Sequence, residues 1–259
     1  MNFDMRAQYY NRYRKPDVRL TKKMIKLLDL KSNSTILDVG AGTGNYSISM
    51  LDMGYNVIAL EPEKKMIEQC TDSRVQWINS SVYDIPLQNS FIDAAVIVNA
   101  IHHFKNIKKA FQELKRVIGQ GTIVIVTFDP DIATKQWIFD YWPILIEYEY
   151  SNYFCINKLK ELIINSIGVE IEEYIYKLPY DFKDIFSASL WKRPEMLLNN
   201  ADLKYAMSIF NFMNEKSFNT GLQKLKDDIT FHDWEKKYHY LIDEEEWDVG
   251  CRLLKLTIL

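Results

Sequence analysis

Three of the nine glycines, Gly40, Gly42 and Gly44, fall within five residues, in the segment ILDVGAGTGN at 36–45. A side chain at such positions would block positive φ or hold a ligand off the backbone, so the spacing points to a small molecule lying against the main chain. A helix starting beyond the turn would offer free N–H groups to an anion or an acceptor. The competing reading is a tight strand-to-helix connection with nothing bound. Two acids accompany the cluster: Asp38 precedes Gly40 by two residues and Glu61 follows it by 21. His102 and His103 are a second candidate for chemistry, because histidine titrates near neutral pH and can act as a general base. A packing histidine beside a surface one is the alternative.

The elements that would position these residues follow from hydrophobic patterning. Between 34 and about 128, short apolar runs alternate with helical patterns, which is the signature of βαβ units and a parallel sheet. Strands are expected at 35–39, 56–60, 75–78, 92–98 and 122–128, and IDAAVIV at 92–98 is apolar enough to be a central strand covered on both faces. Helices are expected at 46–53, 63–70 and 107–118. In the last of these Ile107, Ala110, Phe111, Leu114, Val117 and Ile118 recur at spacings of three and four. Asp38 and the glycines then leave the first strand, Glu61 ends the second, and the histidines follow the fourth. Strand alternation would send one histidine toward the cleft and one away.

Beyond Pro130 the character changes. An aromatic-rich stretch runs from Trp137 to Phe154, followed by a helix near 158–166 and a strand near 169–176. Helical spacing recurs at 201–214 and 220–227, and residues 250–258 alternate like a terminal strand. The economical organisation is one α/β domain over 1–259, with a core at 34–128 and a helical insertion at roughly 180–245 before the last strand. An independent second domain is the weaker alternative.

Composition bounds the function classes. The chain has 259 residues and is 47% hydrophobic, enough for a substantial core. Lys+Arg 32 against Asp+Glu 35 gives a net charge of −3, which disfavours bulk nucleic-acid binding. With no apolar run of ~20 residues and no charged-then-apolar leader, neither a membrane span nor a secretory signal is expected, and the expected location is cytoplasmic. Cys70, Cys155 and Cys251 are odd in number and far apart, which suits reduced thiols rather than disulfides or zinc. No metal site is expected.

The turn does not match a dinucleotide fold, whose fingerprint is GxGxxG. Asn45 stands where the last glycine would fall, and Asp38 puts an acid near the place of a pyrophosphate. D-x-G-x-G-x-G after the first strand instead resembles the first motif of the class I S-adenosylmethionine-dependent methyltransferases. Glu61 matches the acid that takes both ribose hydroxyls in that family; one carboxylate can accept two parallel O–H bonds, and charge-assisted bonds are the stronger kind. NSSVYDIPL at 79–87 resembles the adenine-binding G-D-A-x-x-L-P-F segment, with Ser80 and Ser81 in place of Gly and Asp. FIDA at 91–94, NAIHHF at 99–104 and AFQELKRVI at 110–118 extend the match.

Outlying segments resemble the small-molecule, trans-aconitate methyltransferase-like group. They are YYNRYRKP at 9–16, the WKRPE run at 191–195, and WDVGCR at 247–252 with Cys251 in place of a tyrosine. The resemblance implies a Rossmann-like, seven-stranded, mostly parallel sheet with helices on both faces and a helical cap. It implies S-adenosyl-L-methionine as cofactor, held by Asp38, Gly40, Ala41, Gly42, Glu61, Pro62, Met66, Ser81, Val82, Asn99 and Ala100, with Tyr13 and Arg14 of the N-terminal segment 1–33 closing over it. Trp191 and Arg193 could receive an anionic or aromatic acceptor. The implied reaction is in-line displacement at the sulfonium methyl of S-adenosyl-L-methionine, yielding S-adenosyl-L-homocysteine, on a small-molecule substrate, with neither nucleic acid nor membrane expected as a partner. The competing readings are a non-catalytic nucleoside-cofactor-binding protein and, more weakly, an NAD-dependent oxidoreductase.

Overall fold

A computed structural model of the chain describes residues 9–31 and 33–259. The described residues form two compact units. One contains Pro16–Phe128, Phe154–Ile175 and Arg252–Leu259; the other contains residues 9–15, Asp129–Tyr153 and Tyr176–Cys251.

The first unit is built on a seven-stranded sheet of order β3-β2-β1-β4-β5-β7-β6. Its strands are β1 (Thr35–Val39), β2 (Asn56–Leu60), β3 (Gln76–Ile78), β4 (Ala94–Val98), β5 (Gly121–Phe128), β6 (Glu170–Ile175) and β7 (Cys251–Ile258). β1 pairs in parallel with both β2 and β4, β2 with β3, and β4 with β5, whereas β6 and β7 are antiparallel. The strand order therefore turns back between β1 and β4, and open α/β sheets take ligands at the carboxyl ends of strands at such a switch point. β4 begins at Ala94 because the Ile92 N–H is drawn off to the Val117 carbonyl, 3.0 Å away.

The helices of this unit are α1 (Val18–Leu28), α2 (Asn45–Leu51), α3 (Lys64–Ile67), α4 (Ile107–Ile118) and α5 (Ile156–Ile167). α4 buries the six apolar residues expected of it, and the Asn106 side chain caps its start by accepting the Lys109 N–H at 2.9 Å. Apolar residues of α4 and α5 join those of β1, β2, β4, β5 and β7 in one core cluster. α3 is shorter than the pattern at 63–70 suggests; it has no side-chain cap and buries none of its residues fully, so little holds further turns.

The second unit, which takes in the segment expected as the helical cap and is called the cap below, has its own aromatic core. Trp137 meets Trp234 edge-on at 6.0 Å, Trp142 stacks on Phe218 at 5.8 Å and meets Phe210 edge-on at 5.2 Å. The indole N–H groups of Trp137 and Trp142 donate to the Leu190 and Phe218 carbonyls at 3.2 and 3.1 Å. The aromatic stretch after Pro130 is thus part of the cap, which is larger than an insertion at 180–245. It also holds a two-stranded antiparallel pair, Leu178–Pro179 with Glu246–Trp247, that no periodicity announced. The expected helix at 201–214 is broken into Leu203–Ala206 and a 3₁₀ turn, Ser208–Phe212, with Met207 extended between them. The break lets Leu203, Ala206, Ile209 and Phe210 all turn inward.

Candidate cofactor site

The glycine turn joins β1 to α2, and its first two glycines have different duties. At Gly40, with φ +70°, a Cβ would lie 2.6 Å from the Ala100 Cβ, so its bareness lets the ends of β1 and β4 approach. At Gly42, with φ +59°, a Cβ would meet only the Met66 methyl at 3.6 Å, so the ground in front of it is open. The N–H groups of Gly40 and Ala41 both donate to the Leu60 carbonyl, at 2.8 and 3.1 Å, which pins the turn to the end of β2. Asp38 lies beneath the turn, 2% exposed, and accepts the Ser47 hydroxyl at 2.6 Å. Burial pushes its carboxyl up to about 6, the Ser47 bond opposing that rise.

Glu61 closes the other side. One carboxylate oxygen accepts the Gly42 N–H at 2.8 Å and the other the Glu63 N–H at 3.0 Å. Asn79 Nδ2 donates to the Glu61 and Pro62 carbonyls, both at 2.9 Å, locking the backbone after β2. The Glu61 side chain is thereby aimed at the glycine turn. It is 7% exposed, and burial raises its pKa against the lowering effect of the two N–H bonds. A carboxylate offers about four acceptor directions. One N–H on each oxygen leaves room for a pair of hydroxyl donors.

Other expected contacts gather on the same unit. Pro62 and Met66 follow Glu61 directly, and Met66 sits opposite Gly42. Ser81 and Val82 follow β3; the Ser81 hydroxyl accepts the Tyr83 N–H at 3.3 Å, and Val82 is 7% exposed. Asn99, at φ +51°, and Ala100 leave β4. His102 and His103 are not on a strand: they share the 3₁₀ turn Ile101–His103, so alternation does not separate them, and their rings lie 4.0 Å apart. His102 is half-buried and His103 exposed.

Four expected residues belong to the cap. The Tyr13 hydroxyl donates to Asp202 at 2.6 Å, and burial with that acceptor pushes its pKa up to about 12. Arg14 pairs with Asp184 and lies over the rings of Tyr10 and Phe186, at 5.1 and 5.3 Å. Trp191 is 1% exposed and stacked on Trp247, and its indole nitrogen is buried without a hydrogen-bond partner. Arg193 donates through one nitrogen to the carbonyls of Phe182 and Ser189, at 3.2 and 2.9 Å. Sequence reasoning passed over Ser47, Asn79 and Thr43 as individual residues. The first two brace Asp38 and Glu61, and the only sequence signal was that each is polar beside a motif.

The structure offers its own test of whether a nucleoside cofactor fits. Among the polar side-chain atoms of the first unit that are buried without a hydrogen-bond partner are Thr43 Oγ1 in the turn and Asn99 Oδ1 after β4. Buried polar groups are rarely left unsatisfied unless a ligand or water completes them. Together with the remaining acceptor capacity of Glu61 and the open ground before Gly42, they suit a ribose-bearing ligand at the switch point.

A family model described as a methyltransferase domain matches residues 37–126. A solved structure from Anabaena variabilis ATCC 29413, assigned as a methyltransferase of an antibiotic biosynthesis pathway, is 34% identical, with a TM-score of 0.89 over 95% of this chain and 99% of that one. Protein 235L of Invertebrate iridescent virus 6, also named a methyltransferase, is 26% identical over 63% of this chain and 66% of its own length. A tRNA (carboxymethyluridine(34)-5-O)-methyltransferase of Arabidopsis thaliana is 32% identical over 39% of this chain, a match that spans 25% of that protein. The bare turn, the acid that faces it and a relative matched from end to end agree, and the chain belongs to the class I S-adenosylmethionine-dependent methyltransferases.

Proposed function

We propose that the chain transfers the methyl group of S-adenosylmethionine to a small-molecule acceptor. The observation that carries the reading is Glu61, a buried carboxylate at the end of β2 whose two oxygens each hold one backbone N–H and keep acceptor capacity for two hydroxyls. Bound S-adenosylmethionine supplies an already electrophilic sulfonium methyl for in-line attack by the acceptor. The chain's own residues then have positioning work to do, and alignment of reacting groups can contribute ~7–11 kcal/mol in favourable systems. Glu61 would orient the ribose, the Gly42 backbone would leave space beside it, and Thr43 and Asn99 would complete their hydrogen bonding on the ligand.

A net charge of −3 and a cap with an aromatic core support a small acceptor over RNA, the substrate class in the plant relative's name. The same reading puts the protein in the cytoplasm; no described helix is long and apolar enough to cross a membrane. The test is calorimetry with S-adenosylmethionine, S-adenosylhomocysteine and NAD, followed by a labelled-methyl screen of a metabolite pool and a small-RNA fraction. The proposal expects the first two ligands to bind and label to enter a metabolite. Binding of NAD alone, or label confined to RNA, would overturn it.

A further inference from the structure

The cap helix Ile144–Asn152 is inverted relative to ordinary amphipathic design. Ile144, Ile146 and Tyr150 are 60%, 37% and 48% exposed, while the residues it buries are Leu145 and, one turn on, Glu149. Charged residues are almost never fully buried unless paired. Glu149 is 7% exposed, and among the described residues neither a hydrogen bond nor an opposite charge offsets its burial. Desolvation alone pushes the group up to about 7. A helix with isoleucine outside and glutamate inside has given up stability at that position, and such local violations concentrate at functional sites.

The surroundings of Glu149 are aromatic. Tyr153, the C-cap residue, donates its N–H to the Glu149 carbonyl at 2.8 Å, so the two side chains share one face at the helix end. Tyr153 is close enough to Glu149, Tyr148, Tyr10 and Arg14 for their charges to act on its hydroxyl, and burial with the Glu149 charge raises its pKa. Arg14, the cation of this group, is committed to Asp184 and lies on the Tyr10 and Phe186 rings rather than neutralising Glu149. Tyr148 is itself held by Phe212, ring centroids 4.1 Å apart. A buried carboxylate lacking a partner, among tyrosine rings, is the complement of an organic cation: the acid supplies the counter-charge and the rings supply cation–π attraction.

We propose that Glu149 and the tyrosines beside it form the acceptor-binding site of the cap, and that the acceptor carries an amino group. The proposal rests on the methyltransferase reading for the word acceptor, but the binding site stands on the cap alone. Arg14 of the same unit is paired with Asp184 and Arg193 is bonded to carbonyls, so neither cation is given over to Glu149.

The test titrates the full chain with phenethylamine and with 2-phenylethanol, its uncharged counterpart, at pH 8, and repeats both with Glu149→Gln. Wild type should bind the amine more tightly than the alcohol. The variant should lose about ten- to a hundredfold in amine affinity and leave the alcohol unchanged. A cooperative melt at or above the wild-type temperature shows that the variant is folded. Amine binding no tighter than alcohol binding in wild type, or equal amine affinity in the two proteins, overturns the proposal. S-adenosylhomocysteine is titrated separately: loss of that binding with the amine pattern intact would refute the methyltransferase reading and leave the cation site standing.

Discussion

Replacing Glu61 with glutamine tests the cofactor site most sharply, because the change is nearly isosteric and its consequences can be worked out atom by atom. The two carboxylate oxygens accept the Gly42 and Glu63 N–H groups at 2.8 and 3.0 Å. A glutamine amide has one acceptor oxygen and one donor nitrogen, so one of those N–H groups must face another donor. Leaving a buried donor unsatisfied costs about 1–3 kcal/mol. Part of that loss is offset, since burial already disfavours the Glu61 ion. The melting temperature should therefore fall by only a few degrees, at roughly 2–4 °C per kcal/mol for a chain of this size.

Binding has no such offset. A hydrogen bond to a charged group is worth about 1.5–3 kcal/mol, so affinity for S-adenosylhomocysteine should drop roughly 10- to 150-fold. Calorimetry on both proteins, paired with thermal melts, separates the two effects. Because its pKa is raised, protonation of Glu61 should also weaken cofactor binding by wild type at a higher pH than for an ordinary glutamate. The variant should show no such step. An affinity within threefold of wild type would refute the ribose assignment, and an unchanged melt would refute the donor conflict.

Three further outcomes are expected. Gly40→Ala forces a Cβ to within 2.6 Å of the Ala100 Cβ at a positive φ and should destabilise by about 1–3 kcal/mol, measured by urea unfolding. Gly221→Ala in the helix Glu215–Thr230 would place its methyl 2.3 Å from Trp142 Nε1. Despite alanine's better helix propensity it should lower stability and red-shift the tryptophan emission as the indole leaves the Phe218 carbonyl. Glu149→Gln should make the protein more stable at pH 8 by up to about 3 kcal/mol, from the rise of 4.5 to about 7 in the carboxyl pKa. The wild-type acid folds most favourably when neutral, so that advantage should vanish as pH falls below 4.5 in urea titrations.

Sequence patterning located β1, β2 and α4 to the residue, because short, mostly apolar runs bounded by turn residues mark buried strands and α4 has one continuous apolar stripe. Glu61 was singled out by resemblance to the acid that follows the second strand in the family, and the structure places it against the glycine turn. The cap was harder. Its core is assembled from segments far apart in the chain, and the short helix Ile138–Tyr141 and the 3₁₀ turn Ser208–Phe212 are too brief to show a period. Trp191 could not be told from a ligand-facing ring until Trp247 was seen against it. Glu149 left no signal at all, since the helix Ile144–Asn152 has no apolar stripe to announce it and an acid there reads as solvent-facing by default.

The division of the chain has a consequence for its synthesis. The polypeptide changes units at 15/16, 128/129, 153/154, 175/176 and 251/252, so neither unit is one contiguous stretch that a ribosome could complete before starting the other. Trp137 and Trp142 emerge early, yet Phe210, Phe218 and Trp234, which cover them, come later, the last of them 97 residues after Trp137. At about 5–20 residues per second, two large indoles wait on the order of 5–20 s for their partners. During that interval the nascent chain displays the most adhesive part of the cap, and its demand on chaperones should be greatest there.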